Sequence, residues 1–137
     1  MRAAIMRNQQ LLVGEMENPQ PQQGEVLVRT LACGICGSDL HALQHFDQFA
    51  GMTEGLGGSI DKDADMVMGH EFCAEILDHG PGSPKQLPVG TLVCSVPLLL
   101  RGGAALTVGY SNAVPGGYAE QMVLSEPLLL PVPNGLS

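Results

Sequence analysis

The amino-acid sequence predicts a mainly β fold, a barrel or a sandwich, and three observations carry that reading. Apolar residues alternate with polar ones in short runs, as in "EVLVRT" at 25–30, where Val26 and Val28 share one face. The 18 glycines and 10 prolines punctuate the 137 residues about every ten positions, a spacing that suits strands joined by turns. No apolar stripe of helical period runs long enough for an extended helix.

Taken in order, residues 3–6 and 11–13 flank "RNQQ" and read as a hairpin. "NPQPQQGE" is a proline-broken loop, and residues 26–33 are a half-buried strand. Ser38 is a suitable N-cap, with "DLHALQHF" as a short helix behind it. Residues 45–65 read as a long polar, glycine-containing excursion. Strands follow at 70–78 and at "TLVCSV", then a loop through "LLLRGGAALTVGYSNAVPGG", then strands at "YAEQMVL" and "LLLPVP".

Composition narrows the function. The chain suits a single domain, 1–137, with 45% hydrophobic and 15% charged residues. A formal charge of -8 repels phosphate backbones, so no nucleic-acid partner is expected. The longest apolar run, "LVCSVPLLL", is half a membrane span and contains Pro97, so no membrane partner is expected either. The N-terminus has no secretory pattern, which with four cysteines predicts reduced thiols and a cytoplasmic location.

Two stretches carry chemistry, "CGICGSDLH" at 33–41 and "MGHEF" at 68–72. As a zinc knuckle, Cys33–Cys36 lacks a second pair, since Cys73 and Cys94 are 21 residues apart. As a redox pair it lacks alternating βαβ units. Ser38 and His41 lie one helical turn apart beside the Cys36 thiol, an arrangement able to pass a proton. Asp39 can hold an imidazole arriving from elsewhere, and His70 is one. In a regular strand His70 and Glu71 face opposite sides, so both reach one metal only if the backbone bends; otherwise His70 is a buried histidine beside a solvated glutamate. "GLGGSI" at 55–60 fails as a dinucleotide loop, and "DKDADM" lacks the glycine and closing glutamate of a calcium loop.

These motifs, followed by "VGTLVCS" and "GGYAEQMVL", resemble the zinc-dependent medium-chain dehydrogenases of the alcohol, sorbitol and threonine dehydrogenase type. The resemblance covers their GroES-like catalytic domain, a partly open β-barrel with short helices. It implies Cys36 and His70 as catalytic zinc ligands and Glu71 as a carboxylate that some members use at the metal. It makes Ser38 the hydroxyl that receives the alcohol proton, His41 the next acceptor, and Asp39 the hydrogen-bond partner of the ligand histidine. A small alcohol or polyol substrate, NAD or NADP, and a homo-oligomer are implied for the intact enzyme.

The sequence also departs from that family. Cys94 stands alone where many members carry four cysteines, so one catalytic zinc and no structural zinc is expected. The step of 34 residues from Cys36 to His70 is long for the family. "EPL" at Glu126 falls too early for the third ligand, and neither that ligand nor a Rossmann cofactor domain is found. The chain is therefore expected to be a catalytic-domain portion that is inactive alone and holds zinc weakly or not at all. The alternatives are a non-catalytic GroES-like binding barrel and a zinc-free reductase of the same superfamily.

Overall fold

The computed structural model describes residues 1–54, 59–133 and 136. The order is β1 (Arg2–Arg7), β2 (Gln10–Glu15), β3 (Glu25–Cys33), α1 (Gly37–Gln44), α2 (Phe46–Glu54), β4 (Phe72–His79), β5 (Leu92–Ser95), β6 (Leu98–Arg101), β7 (Ala104–Thr107), β8 (Gln121–Ser125), a 3-10 turn (Glu126–Leu128) and β9 (Leu129–Pro131). The fold is mainly β with two short helices, as the alternating pattern predicts. No helix among the described residues is long and apolar enough to cross a membrane.

β1 and β2 form the expected hairpin, turned by Asn8 and Gln9 at φ of 50° and 58°. Two consecutive positive φ values match the right-handed twist of the flanking strands. The main sheet has the order β8-β3-β4-β5-β9. Its outer strands would lie about 19 Å apart if the sheet were flat. Yet three residues, Glu126–Leu128, join β8 to β9, and a link that short spans at most about 14 Å. The sheet must therefore roll toward closure, which makes it a partly open barrel. Val26, Val28, Ile76, Val93, Met122 and Leu124 fill its interior, each at most 0% exposed.

Two expectations for irregular segments are overturned. Within the excursion at 45–65, Phe46–Glu54 is helical because Phe46 and Phe49, three apart, both bury against Met6, Met66 and Met68. Likewise, the loop expected from Leu98 contains the β6–β7 hairpin. Gly102 and Gly103, at φ of 58° and 79°, supply its two-residue turn, a signal present in "RGGA". The rejected dinucleotide motif "GLGGSI" lies mostly outside the described residues.

Side-chain hydrogen bonds at two points tie the β6–β7 hairpin to the barrel. Ser125 Oγ accepts the Leu100 N–H at 2.7 Å. Arg101 donates from Nε and a terminal nitrogen to Glu25, at 2.7 and 2.9 Å, and the Glu25 side chain is fully buried. The Gln22 N–H also donates to Glu25. A buried carboxylate left without its cation costs more than the pair itself contributes. Arg101→Ala is therefore expected to lower stability by about 3 kcal/mol in urea unfolding, while Glu25→Gln with Arg101→Met recovers most of the loss. An Arg101→Ala chain as stable as the parent would show that this pair does not hold the hairpin.

Candidate metal centre

Pairing of β3 with β4 brings the two chemical stretches together. Cys33 stands opposite Phe72 in the antiparallel register, and the Gly34 N–H donates to the Glu71 carbonyl at 2.7 Å. The register shifts between Thr30 and Ala32, a bulge that bends β3 just before the first cysteine. Cys36, beyond that bend, therefore lies beside the approach to β4 despite its distance along the chain.

The helix after Cys36 is the expected one, but its cap is not Ser38. The helix starts at Gly37 with Cys36 in extended conformation as the N-cap. Asp39 turns back to accept the Cys36 N–H on Oδ2 at 3.0 Å, as the third helical residue of a capping box does. This moves the start of the helix back by two residues. Ser38, freed from capping, is within 2.7 Å of the Tyr110 hydroxyl.

The strand expected over 70–78 starts two residues later, at Phe72. The reason lies at Gly69, whose φ of 98° turns the backbone. A Cβ there would sit 2.8 Å from the Tyr118 nitrogen and 2.9 Å from the Cys33 sulfur. The Gly117 and Tyr118 N–H groups donate to the carbonyls of Gly69 and Met68, at 2.8 and 3.0 Å, which fixes the turn. His70 and Glu71 thus lie outside the regular pleat and escape its alternation. The bend that sequence reasoning required is present.

Cys36, His70 and Glu71 offer ligand atoms that all lie within 4.8 Å of one another. Cys36 and His70 are half-buried and Glu71 is exposed, so the cluster opens to solvent on the carboxylate side. Behind it sits Asp39, 2% exposed. Asp39 Oδ2 also accepts the Tyr118 hydroxyl at 2.9 Å, and Oδ1 accepts the Tyr110 hydroxyl at 2.8 Å. His70 Nδ1 is buried without a hydrogen-bond partner, 3.5 Å from Asp39 Oδ1. Of the remaining residues, His41 packs its ring on His45, with centroids 5.2 Å apart. Among the described residues Ser38 bonds to Tyr110, not to His41.

Tyr110 and Tyr118 are residues of this candidate centre that sequence reasoning missed. Both follow the "VGY" and "GGY" turns, and their aromatic-after-glycine pattern says nothing about a carboxylate some 70 residues away. Cys33 faces the glycines at 69 and 117, and burial pushes its thiol pKa up. Glu126 accepts the Ser83 hydroxyl at 2.6 Å and is not among the converging donors. His79, by contrast, is held by the Leu87 carbonyl at 2.8 Å.

Burial raises both tyrosine pKa values above the ordinary 10.0, and the Asp39 hydrogen bonds raise them further. The folded chain thus holds the phenolic protons more tightly than the unfolded chain does. This stabilisation is fully present below about pH 10 and is lost as pH rises beyond it. These are the only two tyrosines and the chain has no tryptophan, so phenolate absorbance reads them cleanly. No phenolate step is expected near pH 10 while circular dichroism stays native; both rings should ionise together with alkaline unfolding. A native-state step near pH 10 would contradict the Asp39 bonds.

Comparison with known proteins places this geometry in context. Residues 22–134 match the family model described as the alcohol dehydrogenase GroES-like domain. An alcohol dehydrogenase of Geobacillus stearothermophilus is 34% identical over 152 residues, covering 100% of this chain and 41% of that protein. A (R,R)-butanediol dehydrogenase of Bacillus subtilis (strain 168) is 29% identical over 157 residues, covering 100% and 42%. The chain spans about two-fifths of the length of these relatives. Among solved structures, acetophenone reductase from Geotrichum candidum, in complex with NAD, superposes with a TM-score of 0.76 at 24% identity, over 99% of this chain and 41% of that one. That likeness is one of fold.

Proposed function

This chain belongs to the alcohol dehydrogenase GroES-like domain family, and on that premise we propose that residues 1–137 are the catalytic-domain portion of a zinc-dependent, NAD(P)-linked dehydrogenase of small alcohols or polyols. The observation that carries the proposal is the convergence of Cys36, His70 and Glu71 in front of the buried Asp39.

The residues present fit a zinc ion. Thiolate, imidazole and carboxylate are the three ligand types that zinc takes, and three protein ligands with an open fourth position characterise catalytic rather than structural sites. His70 turns Nδ1 toward the Asp39 carboxylate, which leaves Nε2 for the metal, the usual arrangement for a ligand histidine. Zinc held there supplies Lewis-acid polarisation of a substrate oxygen and lowers its pKa. Ser38 is the group that takes the alcohol proton, and His41, one turn further along α1, carries it toward solvent. A nicotinamide supplies the hydride acceptor. NAD occupies the acetophenone reductase of the same fold.

The passive-barrel alternative gives no reason for Asp39, a buried carboxylate, to back a thiol, an imidazole and a second carboxylate. The zinc-free reductase alternative does not need Cys36 and His70. Exposed Val13 and Ile35, 82% and 74% accessible, support self-association, in line with a homo-oligomer.

In the intact enzyme, elemental analysis is expected to find one zinc per subunit, lost in Cys36→Ser and in His70→Ala, whereas the 137-residue chain alone should hold zinc weakly or not at all. Asp39→Ala should weaken zinc retention by roughly 10- to 100-fold without removing a ligand. Two zincs per chain, or one that survives both ligand substitutions, would refute the assignment.

A second expectation concerns hydride transfer, which needs the nicotinamide held against the substrate. These residues contain no dinucleotide loop, so calorimetry should detect no micromolar binding of NAD or NADP. Zinc-supplemented chain should likewise not turn over a panel of alcohols and polyols. Turnover that Cys36→Ser abolishes would show that the residues in hand suffice.

A further inference from the structure

We propose that Tyr110 is a positioning residue of this centre, which accepts the Ser38 hydroxyl's hydrogen bond and clamps Asp39 opposite His70. The inference rests on the metal-centre reading above.

The direction of the hydrogen bonds follows from counting protons. Asp39 as a carboxylate only accepts. The Tyr110 hydroxyl has one proton, and its 2.8 Å contact with Asp39 Oδ1 uses it. The 2.7 Å contact between Ser38 Oγ and Tyr110 can then be satisfied only by Ser38 donating. The bonds therefore run in one direction, from Ser38 to Tyr110 to Asp39. Ser38 has its proton committed and presents lone pairs alone to anything beside it. In that state the hydroxyl can only accept a hydrogen bond from an incoming alcohol O–H. A serine with a free rotor spends part of its time donating to the incoming oxygen instead.

The same tyrosine sets the other side of the centre. Its ring lies against His70, with centroids 5.1 Å apart and planes at 42°, and is backed by Phe49 at 4.6 Å. Its hydroxyl holds the one Asp39 oxygen that faces His70 Nδ1. Tyr118 differs on both counts. It binds the other oxygen, Oδ2, which keeps the Cys36 N–H as a second donor, and it makes no bond to Ser38. Tyr110 thus touches the ligand imidazole, the residue behind it and the proposed proton acceptor at once.

The probe is Co²⁺, whose absorption reports the thiolate bond and the ligand field. In the intact enzyme it should produce a thiolate-to-cobalt band that Cys36→Ser removes. Tyr110→Phe keeps the ring and loses the hydroxyl. It is expected to weaken Co²⁺ binding about 10-fold or more, with circular dichroism unchanged. Equal Co²⁺ affinity in Tyr110→Phe would overturn the proposal and leave the metal centre standing. An unaltered intact enzyme without any thiolate band would overturn both. Should Tyr110→Phe fail to fold, NMR of the unaltered intact enzyme decides. A Tyr110 hydroxyl held on a carboxylate gives a slowly exchanging, downfield proton resonance that added Zn²⁺ should shift. If the resonance is absent, or zinc does not move it, the proposal falls.

Discussion

The buried carboxylate of Asp39 is the constraint on which the rest of the site depends. One side chain closes the first turn of α1 through the Cys36 N–H, anchors two tyrosines from the segment before β8, and faces the imidazole that precedes β4. These groups come from three separate parts of the chain. A hydrogen bond to a charged group contributes about 1.5–3 kcal/mol, so three of them offset the cost of keeping Asp39 out of water. Among the described residues no lysine or arginine contacts it, which leaves its charge facing an imidazole and, through it, a metal.

That arrangement is possible because the backbone approaches itself closely where it matters. Val67–Gly69 and Gly116–Tyr118 lie side by side, joined by three N–H to carbonyl bonds. A Cβ at Gly116 would meet the Met68 carbonyl at 2.5 Å, and one at Gly117 the Cys33 sulfur at 2.6 Å. Any larger residue would push the two segments apart and carry His70 away from Asp39. The glycines of "MGHEF" and "PGGY" are thus spacers that set the position of the histidine. The polar site and the rolled sheet meet here, since β3, β4 and β8 all end at this junction.

Much of this was legible in the residues. The alternation in "EVLVRT", the turn residues and the helix after Cys36 follow from local rules, and the structure agrees with them. The local misses have local causes. The Phe46 and Phe49 pair was hidden in a polar segment, so α2 read as loop. Gly102–Gly103 was a hairpin signal overshadowed by the leucine run before it. Ser38 is a good cap in isolation, but Asp39 competes for the same turn and starts the helix at Gly37 instead. The early beginning expected for β4 failed because Gly69 turns the chain ahead of it, and no pattern of apolar residues records a backbone angle.

The sequence by itself determined the fold class and the family resemblance, and it singled out Cys36, Ser38, Asp39, His41, His70 and Glu71 as candidates, because ligand and acid–base chemistry is written in residue types and short spacings. Only the tertiary structure decided which of these meet. Bringing Glu71 beside Cys36 and His70 took the bulge in β3 and the left-handed Gly69, where strand pairing joins residues such as Cys33 and Phe72 that are far apart along the chain. Tyr110 and Tyr118 at Asp39, and Arg101 at Glu25, belong to the same class of fact. Their partners lie some 70 to 80 residues away, and a polar contact at that range is set by how the sheet rolls, not by anything either residue shows in its own neighbourhood.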